Sequence, residues 1–274
     1  MILPYHLDVP MQKLPIANWL LIVFTCLITL GDWVWFPEKA DLDNARRIIE
    51  IHQLGTKASK TPQDVERLSK LINELKFERS KEVTPLATHP EAWRPWQPVT
   101  SMFVHGDLGH LLGNMFFLFL FGNAINAKLN HFLFLMCYLA LGIVSDFVRV
   151  GLQYAAGDLT PSLGASGAIM GIAGLCLVFY PRNDARIFYV QIPFGIGVLT
   201  ISSGWLVLFY LVCDLLGNIF YLHDGIGYMA HLSGCLAGIL LGILLIQTGW
   251  VELEYGEENL LQIMGMQKKL KRWE

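Results

Sequence analysis

Charged residues are scarce in this chain. Asp, Glu, Lys and Arg together make up 16% of its 274 residues, whereas about a quarter of the residues in soluble domains are charged. Apolar residues make up 54%, and the mean hydropathy is +0.45. The formal net charge of -3 includes no basic excess, so we expect no nucleic acid partner. The composition excludes an ordinary soluble domain and predicts a protein embedded in a lipid bilayer.

Cysteine is also rare, and its placement argues against two roles. Each of the five cysteines lies in an apolar run, and no two of them have the spacing of a paired motif. Disulfide frameworks and structural zinc sites are both built from such pairs. We therefore expect buried thiols that form no disulfide and bind no metal. The first apolar run has no cleavage site of small residues behind it, which predicts a membrane anchor rather than a removable signal peptide.

Six apolar runs are candidate membrane spans, since a crossing helix needs about 20 apolar residues. We predict an all-α, polytopic protein with six transmembrane helices. The predicted spans are residues 16–36, a run that ends near residue 125, and residues 131–150, 166–180, 197–221 and 228–250. The rest of the predicted organisation is a cytoplasmic segment at 1–15, an extracytoplasmic loop at 37–98, a core at 99–250 that contains spans two to six, and a charged cytoplasmic tail at 251–274.

The loop after the first span has a different composition. Ten basic and ten acidic residues lie between residues 38 and 91. The stretch Thr61-Pro62-Gln63-Asp64 has an N-cap residue, a proline at the first helical position and an acid at the third. Helical apolar spacing follows it, and a shorter helix is predicted from Leu42 to Leu54. We expect a charged helical hairpin, either a solvated cap on the protein or a substrate-binding module.

Basic residues are distributed unevenly between the two sides of the predicted bundle. The short segments on the side of the termini contain Lys13, Lys128, Arg182, Arg186 and four basic residues of the tail, whereas the opposite short loops have little beyond Arg149. Short cytoplasmic loops carry the basic excess in membrane proteins. Both termini are therefore predicted to be cytoplasmic. The short chain without a targeting extension favours a bacterial inner membrane.

This orientation predicts that polar side chains converge near the outer face. His110 and Asn114 lie early in the second span, Ser166 begins the fourth, and His231 follows the start of the sixth by about one turn. Small residues let helices approach closely. The fourth and sixth spans are therefore predicted to pack together through two facing stripes of glycines: Gly167, Gly171 and Gly174 on one, and Gly227, Gly234, Gly238 and Gly242 on the other.

The fourth run is too short to cross a membrane alone. At 1.5 Å per residue its roughly 15 residues span about 22 Å, against a hydrocarbon core of about 30 Å. Either Ser166 lies below the membrane surface or the preceding loop dips in to meet it. Such backbone is tolerated only where protein or a water-filled cavity surrounds it, so both versions predict a cavity.

These residue types fit nucleophilic catalysis. A serine hydroxyl attacks only when a neighbouring base accepts its proton, and His231 is the candidate base. The backbone N–H of Ser166, with His110 and Asn114, could stabilise an oxyanion. Each signal has another interpretation: glycines around a serine often mean helix packing, and His105, His110 and Asn114 could join a metal site, although they form a poor ligand set. We expect Asp146, Asp214 and Asp224 to be pair partners or boundary residues, and Asp146 could pair with Arg149.

The pattern as a whole resembles the rhomboid intramembrane serine proteases. His-x4-His-x3-Asn at His105, His110 and Asn114, Gly-x-Ser-Gly at residues 164–167 and Ala-His-x2-Gly at residues 230–234 follow the family's order. The resemblance covers residues 96–246. It implies a peptide hydrolase without a cofactor, with Ser166 as nucleophile and His231 as base in a dyad that lacks a catalytic Asp, and an oxyanion hole from His110, Asn114 and Ser166. The supporting residues implied are His105, Gly164, Gly167, Met170 and Gly234.

The resemblance also implies the substrates. Rhomboids cleave membrane-anchored proteins in or near a transmembrane segment, and span five, with Trp205, Phe209 and Phe220, resembles the element proposed as their lateral gate. Met170 stands where many members have an aromatic ring stacked on the histidine. The first-loop Trp-Arg pair of the family corresponds to Trp96-Gln97, with Trp93-Arg94 three residues upstream. The sequence leaves the anchoring pair, the substrate identity and the oligomeric state open.

Two other functions compete with this interpretation. The first is a catalytically inactive rhomboid-like protein that binds membrane clients, which should lack the serine or the histidine. The second is a small membrane transporter, which would often show repeated halves or broken helices in matching positions. The chain contains both Ser166 and His231 and shows no such repeat, so an intramembrane protease is the function we predict.

Overall fold

Helices make up most of the chain. The computed structural model describes residues 2–36, 42–57, 59–82, 84–90, 92–157, 160–191, 195–220, 227–251 and 258–267. The helices are α1 (Ile16–Trp35), α2 (Leu42–Gly55), α3 (Pro62–Glu82), α4 (Gln97–Thr100), α5 (Leu108–Phe117), α6 (Asn123–Lys128), α7 (His131–Ala155), α8 (Ser166–Phe179), α9 (Ser203–Phe220), α10 (Tyr228–Gln247) and α11 (Leu260–Ile263). A 3-10 turn (Ser101–Phe103) follows α4, and a π-helical turn (Leu118–Gly122) joins α5 to α6.

Among the residues that the structure describes, four stretches are long and apolar enough to cross a membrane. They are α1, the continuous run Leu108–Lys128, α7 and α10. The apolar helix α8 has 14 residues, as expected of the short fourth run, and Ser203–Leu216 within α9 is a second short apolar stretch. The third predicted span extends to Ala155 rather than Val150. These helices define an integral membrane protein.

The described part of the chain contains three antiparallel strands, which correct the all-α prediction. They are β1 (Ile2–Leu7), β2 (Asp184–Gln191) and β3 (Gly195–Ser202), in the order β1-β2-β3. The fifth predicted span starts at residue 197, within β3, whereas α9 begins at Ser203. A short apolar run rich in β-branched residues fits a buried strand as well as a helix. The sequence signal for a strand is the alternation of the polar Asp184 and Arg186 with Ala185 and Ile187. In the structure Ala185 and Ile187 are the buried residues of this stretch.

Helix α8 lies at the centre of the bundle, between α7 and α10. A β-carbon built on Gly171 would lie 2.7 Å from Cβ of Leu141 in α7. On the other side, a β-carbon on Gly238 of α10 would lie 2.8 Å from the carbonyl carbon of Gly171. Only glycine fits at such contacts, since they are closer than van der Waals separation. The predicted contact of α8 with α10 is confirmed at Gly234 and Gly238, whereas a β-carbon on Gly227 would lie nearest Ala230 and Arg149 rather than α8.

Buried polar side chains attach α1 to the bundle. Asn18, fully buried, donates from Nδ2 to the Leu118 carbonyl at 3.0 Å and to Asn123 Oδ1 at 2.9 Å. Near the other end of α1, Trp33 Nε1 donates to the His105 carbonyl at 2.7 Å. A polar group in an apolar interior needs a partner, and these bonds fix the position of α1 along the second span.

The charged segment after α1 contains two contacting helices. Arg67 of α3 bonds Glu50 of α2 at 3.1 Å. Helix α3 starts as its sequence predicts, because the Asp64 carboxylate accepts from the Thr61 N–H at 3.0 Å while the Thr61 hydroxyl accepts from the Asp64 N–H at 3.2 Å. The hydrogen bond from Lys57, followed by those from Thr61, lowers the pKa of Asp64 to about 2.

Candidate functional site

Ser166 is the first residue of α8, and the loop before it is held in an unusual conformation. Gly164 has φ +115°, which side chains other than glycine rarely adopt. Its N–H donates to the Ser101 carbonyl at 2.8 Å. A β-carbon at Gly164 would lie 2.8 Å from Cε1 and Nε2 of His110. Glycine is required here both by the backbone and by the imidazole that covers it.

His110 and Asn114 lie on one side of α5, as their spacing predicts. The Asp107 carboxylate caps this helix by accepting from the His110 N–H at 2.9 Å. Asn114 is buried, and its Nδ2 donates to the His110 carbonyl at 3.1 Å. That same Nδ2 lies 3.8 Å from the β-position of Gly164. The structure therefore brings both side chains to the loop that precedes Ser166.

His105 links α1 to the serine loop. The Ala165 N–H donates to its Nε2 at 3.4 Å, and its Nδ1 lies 3.1 Å from the Thr29 hydroxyl oxygen. A backbone N–H is always a donor, so Nε2 carries no proton and the neutral ring has its proton on Nδ1. The Thr29 hydroxyl in turn donates to the Phe103 carbonyl at 3.0 Å. His105 is thus a neutral, buried connector, and its ring meets that of His110 edge-on at 5.1 Å.

Replacement of His105 by leucine is expected to lower the free energy of unfolding by about 1–3 kcal/mol, because the buried Ala165 N–H would lose its acceptor. The control is His52→Leu on the exposed side of α2, which should change stability by less than about 0.5 kcal/mol. Thermal unfolding of both variants in one detergent measures the difference. Equal stability of the two variants would show that the Ala165–His105 bond contributes nothing.

The contact between α8 and α10 brings the neighbourhood of His231 to that of Ser166. A β-carbon on Gly234 would overlap the Gly167 carbonyl oxygen, and one on Gly167 would lie 3.6 Å from the Ala230 carbonyl oxygen. Ser145 of α7 donates to the same Ala230 carbonyl at 2.8 Å. The turn with Ser166 and Gly167 therefore packs directly on the turn with Ala230 and His231. Ser166 and His231 are both half-buried.

An aspartate in α9 is the hydrogen-bond partner of His231, a pairing that the sequence interpretation does not assign. Asp214 Oδ1 lies 3.0 Å from His231 Nδ1, and the two side chains are 14% and 16% exposed. The sequence did contain a signal, since ionisable residues inside membrane spans are costly and mark functional sites. The interpretation expected Asp214 to be a pair partner, and its partner is His231. Asp224 lies outside the described residues.

The anchor of the first loop is Gln97. It is 2% exposed, and its Oε1 accepts from the Arg94 N–H at 2.9 Å. The Arg94 guanidinium carbon lies 5.4 Å from the ring centroid of Trp96, while Trp93 packs on Phe147 with ring centroids 5.9 Å apart. Both tryptophan pairs thus contribute, but the buried amide holds the loop backbone.

The first loop also contacts the serine loop. Thr88 and Ser162 exchange two backbone hydrogen bonds, at 2.8 and 2.9 Å. The Thr88 hydroxyl donates to Asp146 at 3.0 Å, and Asp146 forms the predicted ion pair with Arg149 at 3.2 Å. Met170 is half-buried against the apolar core, and its role as a supporting residue of the site stays a prediction.

The fold and the site together define a polytopic membrane protein with a serine and a histidine at the contact of two tightly packed helices. Residues 92–248 match the family model described as Rhomboid domain. The match covers more than half of the chain, and the chain belongs to the rhomboid family.

Named relatives share about half of the chain. This chain is 33% identical over 145 residues to the presenilin-associated rhomboid-like protein A, mitochondrial, of Danio rerio. The matched segment covers 52% of this chain and 35% of the Danio rerio protein. The chain is 34% identical over 143 residues to the Mus musculus presenilin-associated rhomboid-like protein, mitochondrial, covering 51% and 35% respectively. It is 27% identical over 155 residues to the putative rhomboid protease YdcA of Bacillus subtilis, covering 56% and 68%. The matched segment spans about a third of the length of the mitochondrial relatives.

Proposed function

We propose that the protein is an intramembrane serine endopeptidase that hydrolyses a peptide bond in or near the transmembrane segment of membrane-anchored proteins. The observation that carries this proposal is the packing of the Ser166–Gly167 turn on the Ala230–His231 turn, where a β-carbon at Gly234 would overlap the Gly167 carbonyl oxygen. The rhomboid match and the putative protease among its relatives support it.

The first half of the reaction forms an acyl-enzyme. Ser166 Oγ attacks the scissile carbonyl carbon while its proton passes to His231 Nε2. The tetrahedral intermediate then collapses, the C–N bond breaks, and the proton on His231 moves to the leaving amine. An ester between Ser166 and the new carboxyl end remains.

The second half hydrolyses that ester. His231 takes a proton from a water molecule, the resulting hydroxide attacks the ester carbon, and the proton returns to Ser166 as the carboxylic product leaves. In both halves His231 accepts and then returns one proton. The side chains therefore provide all of the proton transfer, and the proposed reaction requires no cofactor. The water reaches the ester through the cavity predicted around the short helix α8.

The oxyanion of each tetrahedral intermediate is stabilised beside Gly164. The Ser166 N–H lies at the N-terminus of α8, where the helix dipole favours negative charge. His110 covers Gly164, and Asn114 Nδ2 lies 3.8 Å from the same β-position. Donors placed in advance around the developing charge are among the strongest contributors to such reactions, each worth about 3 kcal/mol.

Six spans and cytoplasmic termini remain part of this proposal. The four long apolar stretches support four of these spans. The shorter helices α8 and α9 are assigned as the other two, and the basic residues near the termini orient the bundle. The site then opens to the outer face, where the α2–α3 hairpin forms a solvated cap. The apolar helices support a membrane location, and the named relatives, which come from mitochondria and a bacterium, do not favour the bacterial inner membrane.

The alternative is a catalytically inactive protein that binds membrane clients. The mitochondrial relatives are named rhomboid-like rather than proteases, and this keeps the alternative open to test. Both functions would use the same bundle and the same access from the bilayer. They differ in one property, the reactivity of Ser166.

Labelling with a fluorophosphonate tests that reactivity directly. The purified protein in detergent is expected to react at Ser166 and to lose this labelling in Ser166→Ala and His231→Ala. Ser162→Ala is the control, because Ser162 lies in the same loop and contacts Thr88 through its backbone, so its labelling should match the wild type. An unlabelled wild type, or a His231→Ala variant labelled at the wild-type rate, would favour the client-binding function.

A further inference from the structure

A carboxylate lies on the inner side of α9. Ser203 and Val207 are buried, and Tyr210 packs edge-on against Phe117 of α5 with ring centroids 5.0 Å apart. Asp214 follows at the same helical spacing, four residues after Tyr210. It therefore lies on the side of α9 that faces the bundle, where its Oδ1 meets His231.

A carboxylate within an apolar helix is energetically costly, so its position indicates a specific role. Neighbouring α9 residues are apolar and open to the bilayer, since Val212, Leu215 and Leu216 are each 46–48% exposed. Burial of an ionised group among such residues is costly unless a partner repays it. The partner present is the imidazole of His231, at 3.0 Å from the carboxylate oxygen.

We propose that Asp214 is a positioning residue for the base, an inference that rests on the proposed function. An ionised carboxylate only accepts hydrogen bonds, so His231 carries its proton on Nδ1 and donates it to Asp214. This tautomer leaves the lone pair of Nε2 available for the proton of Ser166. When Nε2 takes that proton, the carboxylate stabilises the imidazolium and itself stays ionised.

This assignment makes the base depend on the position of α9. The N-terminus of the helix is attached to the end of α8, because the Ser203 hydroxyl donates to the Tyr180 carbonyl and the Gly204 N–H donates to the Pro181 carbonyl at 3.1 Å. Asp214 lies about three turns further along. A displacement of the C-terminal half of α9 about this attachment separates Asp214 from His231 and leaves the imidazole without its orienting partner. Full activity therefore requires α9 to be docked.

The test compares Asp214→Asn with Asp214→Glu in two assays. Asparagine keeps the shape but removes the charge and can hold the ring in the wrong tautomer. It is expected to lower kcat for a transmembrane substrate by about 10²- to 10⁴-fold, with KM changed less than about twofold. The rate of fluorophosphonate labelling should fall by the same factor, since this small reagent reports activation of the serine without substrate entry. Glutamate restores a carboxylate and should recover most of the lost rate in both assays.

Tyr210→Leu is the control for docking of α9. It removes the ring contact with Phe117 on the same side of the helix while leaving the carboxylate in place. If Asp214 only holds α9 in the bundle, Asp214→Asn and Tyr210→Leu will change KM alike and leave the labelling rate unchanged, and glutamate will give no specific recovery; this result overturns the inference. A wild type that neither labels nor cleaves contradicts the proposed function instead, so the two failures are distinguishable.

Discussion

Replacement of Ser166 or His231 by alanine is expected to reduce cleavage of a transmembrane substrate by about 10⁴- to 10⁶-fold, and replacement of both should cost no more than either alone. The two side chains act as one unit in the proposed mechanism. Without the histidine the serine keeps its proton, and without the serine the histidine has no nucleophile to activate. Initial rates for the three variants, measured on one purified substrate in one detergent, give the comparison.

Two further variants act as controls for this non-additivity. Ser162→Ala changes a serine in the same loop, and His6→Ala changes an exposed histidine of β1. Both should cleave at close to the wild-type rate. Additive losses in the double variant would mean that Ser166 and His231 contribute independently, and that result is incompatible with a nucleophile and its base.

Replacement of Gly238 by alanine is expected to destabilise the protein by about 3 kcal/mol or more, because overpacking a rigid contact commonly costs 1–3 kcal/mol and here the contact is backbone. The added β-carbon would lie 2.8 Å from the carbonyl carbon of Gly171. Neither side can yield by rotating a side chain, so α8 and α10 must separate. Fluorophosphonate labelling should fall by about 100-fold, since a displacement of 1 Å at a reacting pair has that effect.

Gly31→Ala is the matched control. Gly31 lies in α1, and no atom outside its own helical turn lies within 4 Å of its β-position. Alanine there should stabilise the helix by about 0.5–1 kcal/mol, the propensity difference between the two residues. Thermal unfolding and labelling of both variants decide the matter. A Gly238→Ala protein as stable and as reactive as Gly31→Ala would show that the helix contact is looser than described.

The helices that hold the site could be predicted from the sequence because their signals are local. Apolar runs gave α1 and α10, and the alternation of glycines at three and four residues indicated which helices touch. His110 and Asn114 could be assigned to one side of α5 because i and i+4 residues share a side of any helix. These inferences require only the geometry of one helix at a time.

The sheet and the aspartate depended on partners distant in sequence. Residues 195–202 form a strand because β2 lies beside them, and β2 is completed by β1 at the start of the chain. From the sequence alone, residues 197–202 are predicted to be part of the fifth span, because they are apolar and directly precede α9. Asp214 contacts His231 because α9 and α10 are placed so that these two residues lie at the same level in the bundle. The sequence between the two helices does not indicate this alignment. The strand pairing and the contact between Asp214 and His231 were therefore the parts that sequence reasoning missed.

The partners of the serine loop bear on how this protein can be divided or recombined. The family match begins at residue 92, yet Thr88 pairs with Ser162 and Thr29 bonds His105, which holds Ala165. A gene exchange at the family boundary would transfer every motif residue without the two threonines that fix their loop. The structural unit that fixes the serine loop is accordingly larger than the matched domain, since it includes Thr29 of α1 and Thr88.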